Sequence, residues 1–256
     1  MKNSEGLHMA RFRWKEKVRW GVVEGKQIYA LSGDLYTNPK RGRALCALSE
    51  ARLLAPLEGT NKVVGIAVNY GDRAGRDGPG LFMKPPGTNI AHLDRIVYPR
   101  ICTRVVHEAE MGIVIGKKAR KVSPKKGLDY VLGYTCVNDV SAVDMTTSDV
   151  GAGTSMRVKY FDTFCPIGPV IATGLDGDNL RLQCRVNGKT EVDASTSQML
   201  WNVGELVAWV SEVMTLNPGD VLSSACPGYG DIKVGDTVEV EVEGIGVLRN
   251  KVVGDR

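Results

Sequence analysis

The sequence has no long hydrophobic run, few phenylalanines and no closely spaced pair of cysteines. No apolar stretch approaches the roughly 18 residues needed to span a bilayer, and the polar N-terminus lacks the apolar segment of a secretory signal. A cytoplasmic protein without membrane contact is therefore expected. Six cysteines occur singly, without a C-x-x-C, which argues against a structural zinc site. The short motifs of serine hydrolases, P-loop proteins and zinc proteases are also missing.

Charge of one sign is only mildly in excess, with a formal net charge of +4. Basic clusters occur at residues 11–19, 40–43 and 117–126. They are not interleaved with the stacking aromatics that single-stranded nucleic-acid binders use. We interpret the third cluster as a solvated loop, with an anion contact as the alternative, and expect no nucleic-acid partner.

Glycine is abundant, with 30 residues against four phenylalanines, which favours many short strands joined by turns. Hairpins are expected at residues 18–31 and across Asn187-Gly188, and an apolar stripe predicts a helix over 202–214. Residues 40–60 are expected to hold a short helix. Because strands outnumber helices, the sequence predicts a mostly β (α+β) domain with a rolled or layered sheet. Residues 1–60 are expected to form a small N-terminal region, in which 1–9 are a candidate leader, and residues 61–256 a larger domain.

Two glutamates mark the most informative strand. Glu108 and Glu110 lie two positions apart in an apolar run, so their side chains share one face of the strand. Buried carboxylates this close repel each other and lose hydration unless a cation lies between them, and a hard divalent ion would resolve the conflict. The alternative is an exposed edge strand on which both carboxylates meet water.

Asp139 and Lys159 are weaker candidates on their own. Asp139 ends an apolar strand, where it either caps a helix or supplies a third metal ligand. Lys159 would bind a substrate carboxylate or an oxyanion if it lies near the carboxylates, and is otherwise a surface charge.

Five ordered segments together resemble the fumarylacetoacetate hydrolase superfamily, especially its branch of isomerases and decarboxylases that act on ring-cleavage products of aromatic acids. The segments are Glu108-Ala-Glu110, residues 134–144, residues 159–169, residues 214–220 and residues 243–250. The resemblance covers residues 62–252, about three quarters of the chain. It implies that residues 61–256 form a catalytic domain with a rolled, mixed β-sheet and few helices.

The resemblance implies that Glu108, Glu110 and Asp139 bind Mg²⁺ or Mn²⁺ and that Lys159 is the catalytic cation beside the metal. It implies an isomerase or decarboxylase that acts on an unsaturated oxo-dicarboxylic acid through a metal-stabilised enolate. A small oxo-acid substrate and a homodimer are expected on the same ground.

The chain departs from the family in the residues that face the substrate. Hydrolytic and decarboxylating members carry a histidine and, three residues later, a glutamate where this chain has Arg73 and Arg76. Arginine cannot act as a base at neutral pH, but two arginines can clamp an anionic substrate. The alternative is that both are solvated loop charges. Tyr70 and Cys226 are further substrate-binding candidates, and Cys226 stands where the family often has a Gly-Thr-Pro.

These departures leave two alternatives to the isomerase or decarboxylase. One is a hydrolase that cleaves the C–C bond of an acylpyruvate-like β-diketone. The other is a member that binds metal and anions but has lost catalysis.

Overall fold

The structure is a computed structural model that describes residues 6–72, 77–148 and 156–255. The first strands are β1 (His8–Trp14), β2 (Lys17–Glu24), β3 (Gln27–Ser32), β4 (Lys40–Ala47), β5 (Arg52–Leu54), β6 (Val63–Ala67), β7 (Gly80–Lys84), β8 (Asn89–Ile90) and β9 (Arg95–Tyr98). The later strands are β10 (Val105–Ile115), β11 (Val131–Asn138), β12 (Cys165–Ala172), β13 (Arg181–Val186), β14 (Lys189–Ser195), β15 (Val221–Ser223), β16 (Tyr229–Ile232), β17 (Thr237–Val242) and β18 (Gly246–Gly254). The α-helices are α1 (Met156–Lys159) and α2 (Val203–Val213). Short 3₁₀ helices lie at Leu48–Glu50, Pro86–Thr88, Pro124–Tyr130, Val143–Ser148 and Thr196–Gln198.

The larger sheet is mixed and runs in the order β4-β3-β2-β1-β12-β11-β10-β15-β6-β7. β16 joins it on β10, β5 on β1 and β8 on β12. The smaller sheet runs β14-β13-β17-β18-β9. β15 and β6 are parallel, as are β18 and β9, and most other pairs are antiparallel. The mostly β fold with mixed sheets and few helices agrees with the sequence prediction.

The N-terminal strands continue directly into the larger sheet. β1 pairs with β12, with His8 opposite Ala172 and Met9 opposite Ile171. Met9, which lies in the segment expected to be a candidate leader, is fully buried among apolar side chains. The strand β1 therefore contributes to the same core as the strands that follow it.

Local sequence signals set the hairpins and the long helix. Asn187 and Gly188 both have positive φ, 52° and 80°, which suits the two-residue turn between β13 and β14. α2 begins after Asn202, whose side chain accepts a hydrogen bond from the Glu205 backbone, while the Glu205 carboxylate accepts one from the Asn202 backbone. The helix buries Val203, Leu206, Val207 and Val210, but Val213 at its end is exposed.

The short helix expected within residues 40–60 is not formed as predicted. Residues Lys40–Ala47 are the strand β4, paired with β3, and only a single 3₁₀ turn follows at Leu48–Glu50. The alanines and leucines of this segment are compatible with a helix or a strand, and pairing with the β2–β3 hairpin favours the strand.

β10 positions the site. It pairs with β11 on one side and with β15 and β16 on the other, and all its residues except Glu108 are buried. No helix in the described part of the chain is long and apolar enough to cross a membrane.

Candidate metal centre and active site

Glu108 and Glu110 lie on the same face of β10, as the strand period predicts. The side chain of Glu110 is buried and that of Glu108 is 16% exposed. Glu110 accepts hydrogen bonds from the Ser223 hydroxyl and, at 3.1 Å, from the Ala225 backbone N–H. Glu108 accepts a 2.7 Å hydrogen bond from the Ser141 hydroxyl. The exposed edge strand, the alternative considered above, is not what the structure shows.

Burial makes these two carboxyl groups hard to ionise together. Burial and then the charge of Asp139 raise the pKa of Glu108. Burial, Asp139 and Glu108 raise the pKa of Glu110 well above its usual value. A cation between the carboxylates would remove this repulsion.

Asp139 follows β11 and is bound to Glu108 through the backbone, because its N–H donates to the Glu108 carbonyl at 2.9 Å. Its carboxylate forms ion pairs with Lys84, at 2.7 Å, and with Lys159. Burial opposes ionisation of Asp139, but the two ammonium groups outweigh it and lower its pKa. The Asp139 carboxylate therefore belongs to the charged cluster and does not act as a helix cap.

Lys159 ends the short helix α1 and joins the carboxylates. Its ammonium group donates to Glu108 at 2.9 Å and also contacts Asp139. The nitrogen lies 4.9 Å from the centre of the Phe82 ring, a cation–π distance. Burial opposes the charge, but Asp139, Glu108 and Glu110 outweigh it and raise the pKa of Lys159. The ammonium group keeps its proton at neutral pH.

A cleft of about 700 Å³ opens onto this cluster. Glu108, Glu110 and Lys159 lie in its lining together with Tyr70 and Cys226. Ile66, Leu81, Phe82 and Val158 supply apolar wall. The volume is in the range of small-molecule sites, which combine apolar walls with a few convergent polar groups.

The predicted substrate-binding residues differ in where the structure places them. Tyr70 and Cys226 lie in the cleft, whereas Arg73 and Arg76 lie outside the described residues. His107 points to the opposite face from Glu108, where its Nε2 lies 2.9 Å from a Glu191 carboxylate oxygen.

Three residues of the site were not predicted from the sequence, namely Lys84, Ser141 and Ser223. Lys84 is 1% exposed and ends the apolar strand β7 directly before Pro85-Pro86. A lysine at the end of an apolar strand was the available signal. Nothing local in the sequence indicated its partner, since Asp139 is 55 positions away in the chain. The serines gave no signal, because a hydroxyl beside an apolar strand is common.

The residues present fit a hard divalent cation. Glu108, Glu110 and Cys226 each offer one donor atom, and these atoms lie within 4.8 Å of one another. When all three are ionised, the carboxylates of Glu108, Glu110 and Asp139 carry three negative charges beside the two positive charges of Lys84 and Lys159, which leaves one negative charge for a cation to compensate. Carboxylate oxygens are the ligands that Mg²⁺ and Mn²⁺ prefer. Lys159 links the carboxylate of Asp139 to that of Glu108, whereas the compact set of donor atoms includes both glutamates but not Asp139.

Comparisons with known proteins agree with this architecture. Residues 62–253 match the family described as Fumarylacetoacetate (FAA) hydrolase C-terminal, and residues 8–56 match Rv2993c-like, N-terminal. Human mitochondrial oxaloacetate tautomerase FAHD2B is 37% identical over 222 residues, which cover 80% of this chain and 70% of that protein.

Two solved structures are similar over nearly the whole chain. The 2-hydroxyhepta-2,4-diene-1,7-dioate isomerase from Mycobacterium marinum has a TM-score of 0.90 and 38% identity, covering 97% of this chain and 99% of that one. The maleylpyruvate hydrolase from Sphingobium sp. SYK-6, in complex with manganese (II) ion and pyruvate, has a TM-score of 0.79 and 28% identity, covering 97% and 100%. The resemblance carried by the sequence motifs is thus confirmed, and the chain belongs to the fumarylacetoacetate hydrolase superfamily.

Proposed function

We propose that this chain is a divalent-metal-dependent isomerase that tautomerises an unsaturated oxo-dicarboxylic acid in the cleft beside Lys159. The observation that carries the proposal is the buried ammonium group of Lys159, held between Glu108 and Asp139 in a cleft large enough for a small acid. The named activities of two relatives, an oxaloacetate tautomerase and a dienedioate isomerase, support this class of reaction.

Glu108, Glu110 and Asp139 would hold Mg²⁺ or Mn²⁺. When bound, the ion would supply positive charge that polarises a 2-oxo-acid through its carboxylate and carbonyl oxygens. To free its carboxylate for the ion, Asp139 would give up its contact with Lys159 and keep its ion pair with Lys84. We therefore assign to Lys84 the role of positioning Asp139, and to Lys159 the role of binding the substrate.

Lys159 is proposed to stabilise the negative charge that develops on the substrate oxygen. Its Nζ holds its proton and donates a hydrogen bond to the oxygen on which negative charge grows as solvent takes the carbon-bound proton, and solvent then returns a proton to that oxygen. The apolar side chains of Leu81 and Phe82 keep water from the same space, which strengthens that hydrogen bond. Arg73 and Arg76 are proposed to contact the far carboxylate of the substrate.

Hydrolysis of a C–C bond is the second candidate, and the structural similarity to a maleylpyruvate hydrolase favours it. It would require a group that prepares water, and Arg73 and Arg76 stand where hydrolytic members carry their histidine and glutamate. Decarboxylation requires the same charge stabilisation at the oxygen as tautomerisation and differs in the bond that breaks. We further propose that the working protein is a homodimer.

Product analysis on a panel of oxo-acids separates these reactions. The purified chain is incubated with the enol form of oxaloacetate, with 2-hydroxyhepta-2,4-diene-1,7-dioate and with maleylpyruvate, each with Mg²⁺, with Mn²⁺ and with EDTA. Tautomerisation conserves mass, decarboxylation releases carbon dioxide, and hydrolysis gives two fragments. We expect a metal-dependent change that conserves mass. Metal-dependent binding of the acids without turnover of any of them would instead indicate the member that has lost catalysis.

Replacement of Lys159 tests its assigned role. Lys159→Met should lower kcat/KM about 10²–10³-fold, the usual cost of removing one donor to an oxyanion. Lys118→Met, at an exposed position, is the matched control and should leave kcat/KM unchanged. Equal activity of the two variants would contradict the role of Lys159.

A further inference from the structure

The Sγ atom of Cys226 is a soft donor that lies among the hard carboxylate oxygens of Glu108 and Glu110. It lies 3.8 Å from a carboxylate oxygen of Glu108, and it belongs to the group of donor atoms within 4.8 Å that includes Glu110. Ligand atoms on one small divalent ion lie roughly 3–4 Å apart, given bond lengths of about 2.0–2.3 Å. The sulfur is therefore placed where it can share an ion with the glutamates.

The backbone directs this sulfur into the cleft. Ala225, immediately before it, has φ 71°, a left-handed conformation that non-glycine residues rarely adopt. Its N–H donates to Glu110 at 3.1 Å, and Pro227 on the other side restricts the chain further. The segment joins β15 to β16, both of which pair with β10, so it cannot move away from the glutamates without breaking the sheet.

We propose that Cys226 makes the metal centre selective between hard and thiophilic cations, because its sulfur coordinates ions such as Cd²⁺ and Zn²⁺ but stays uncoordinated beside Mg²⁺ and Mn²⁺. The proposal rests on the metal centre proposed above and adds a fourth ligand that only some ions use. Carboxylate and water oxygens suit Mg²⁺ and Mn²⁺, whereas thiolate sulfur favours the softer ions. Thiophilic ions should thus occupy the centre tightly and displace the working metal.

The chemistry of the sulfur ligand explains the difference between the two kinds of ion. In the metal-free chain the Cys226 Sγ lies 3.8 Å from a Glu108 carboxylate oxygen, as a thiol that donates to it. A hard ion forms too weak a bond to sulfur to displace that proton. When a thiophilic ion binds, the S–H bond breaks, the proton goes to solvent and the sulfur–metal bond takes its place.

A cadmium titration reads the sulfur bond directly. Cd²⁺ bound by a thiolate gives an ultraviolet sulfur-to-metal charge-transfer band, which carboxylate ligands do not give. The five remaining cysteines are buried, namely Cys46, Cys102, Cys136, Cys165 and Cys184. The wild-type chain, Cys226→Ser and Cys226→Ala are titrated with Cd²⁺, and Mn²⁺ affinity is measured on the same samples. Cys46→Ala is the matched control, since Cys46 packs against Phe12 and Ile28 in a separate apolar cluster.

We expect the band in the wild type and in Cys46→Ala, its loss in both Cys226 variants, and its displacement by excess Mn²⁺. Cd²⁺ affinity should fall about tenfold or more without the thiol while Mn²⁺ affinity changes little. If Mn²⁺ binds in a Glu110-dependent way but the Cd²⁺ band is absent, or persists in Cys226→Ser, the sulfur ligand is refuted and the metal centre stands. If the wild type binds no Mn²⁺ at all, the proposed function and this inference both fail.

Discussion

Replacing Lys84 with methionine would leave the Asp139 carboxylate buried with one of its two ammonium partners removed. Lys84 and Asp139 are each 1% exposed, and the ion pair between them is 2.7 Å long, so solvent does not screen the charge that remains. Removing one partner of a buried pair costs about 3–5 kcal/mol, and because Lys159 still contacts Asp139 we expect about 3 kcal/mol. Methionine keeps most of the side-chain volume, so little of this cost arises from a cavity.

The free energy of unfolding from urea denaturation, measured with EDTA present, checks this value. A double-mutant cycle isolates the charge, because Lys84→Met made in the Asp139→Asn background should cost less than about 1 kcal/mol. Lys118→Met, at an exposed position, should change stability by no more than about 0.5 kcal/mol. A loss below 1 kcal/mol for Lys84→Met, or an equal loss in both backgrounds, would refute the charge argument.

Two further predictions follow from other parts of the site. Glu110→Gln should abolish Mn²⁺ binding because it removes a carboxylate ligand. Because the raised pKa of Glu110 makes its ionisation costly in the folded state, the metal-free variant should also be more stable than the wild type above pH 4.5, the unperturbed pKa, and the gain should grow with pH up to the folded pKa. Urea denaturation at several pH values checks this, and a stability gain only at acid pH would contradict it. Asn69→Ala removes buried hydrogen bonds to Trp201 and Ser224, so it should lower the free energy of unfolding by about 2–4 kcal/mol in urea denaturation. Asn38→Ala, at an exposed position, should change that free energy little.

Local patterns were sufficient to predict the parts of the fold that depend on neighbours in sequence. The turn at Asn187-Gly188, the helix after Asn202 and the shared face of Glu108 and Glu110 each follow from a spacing of a few residues. The mostly β class follows from composition. The short helix expected within residues 40–60 is reduced to one 3₁₀ turn at Leu48–Glu50, because the pairing of Lys40–Ala47 with β3 overrides a weak helix propensity.

The charge balance of the site could not be predicted from local patterns. Lys84 reaches Asp139 only because β7 is placed by the chain of pairings β10-β15-β6-β7. Cys226 was selected from a family comparison, but its approach to Glu108 depends on the left-handed Ala225 and on the pairing of β16 with β10. Contacts of this kind depend on strand order, which spacing along the sequence does not encode.

The metal centre is tested most directly by the anomalous diffraction of Mn²⁺ in crystals of the wild-type chain. We expect one strong Mn²⁺ peak in the cleft, in contact with carboxylate oxygens of Glu108, Glu110 and Asp139, with the Lys159 ammonium moved aside, and no such peak in crystals of Glu110→Gln. Millimolar Mn²⁺ that leaves the space between Glu108 and Glu110 empty in the wild type, with Lys159 still joining Glu108 to Asp139, would contradict the account.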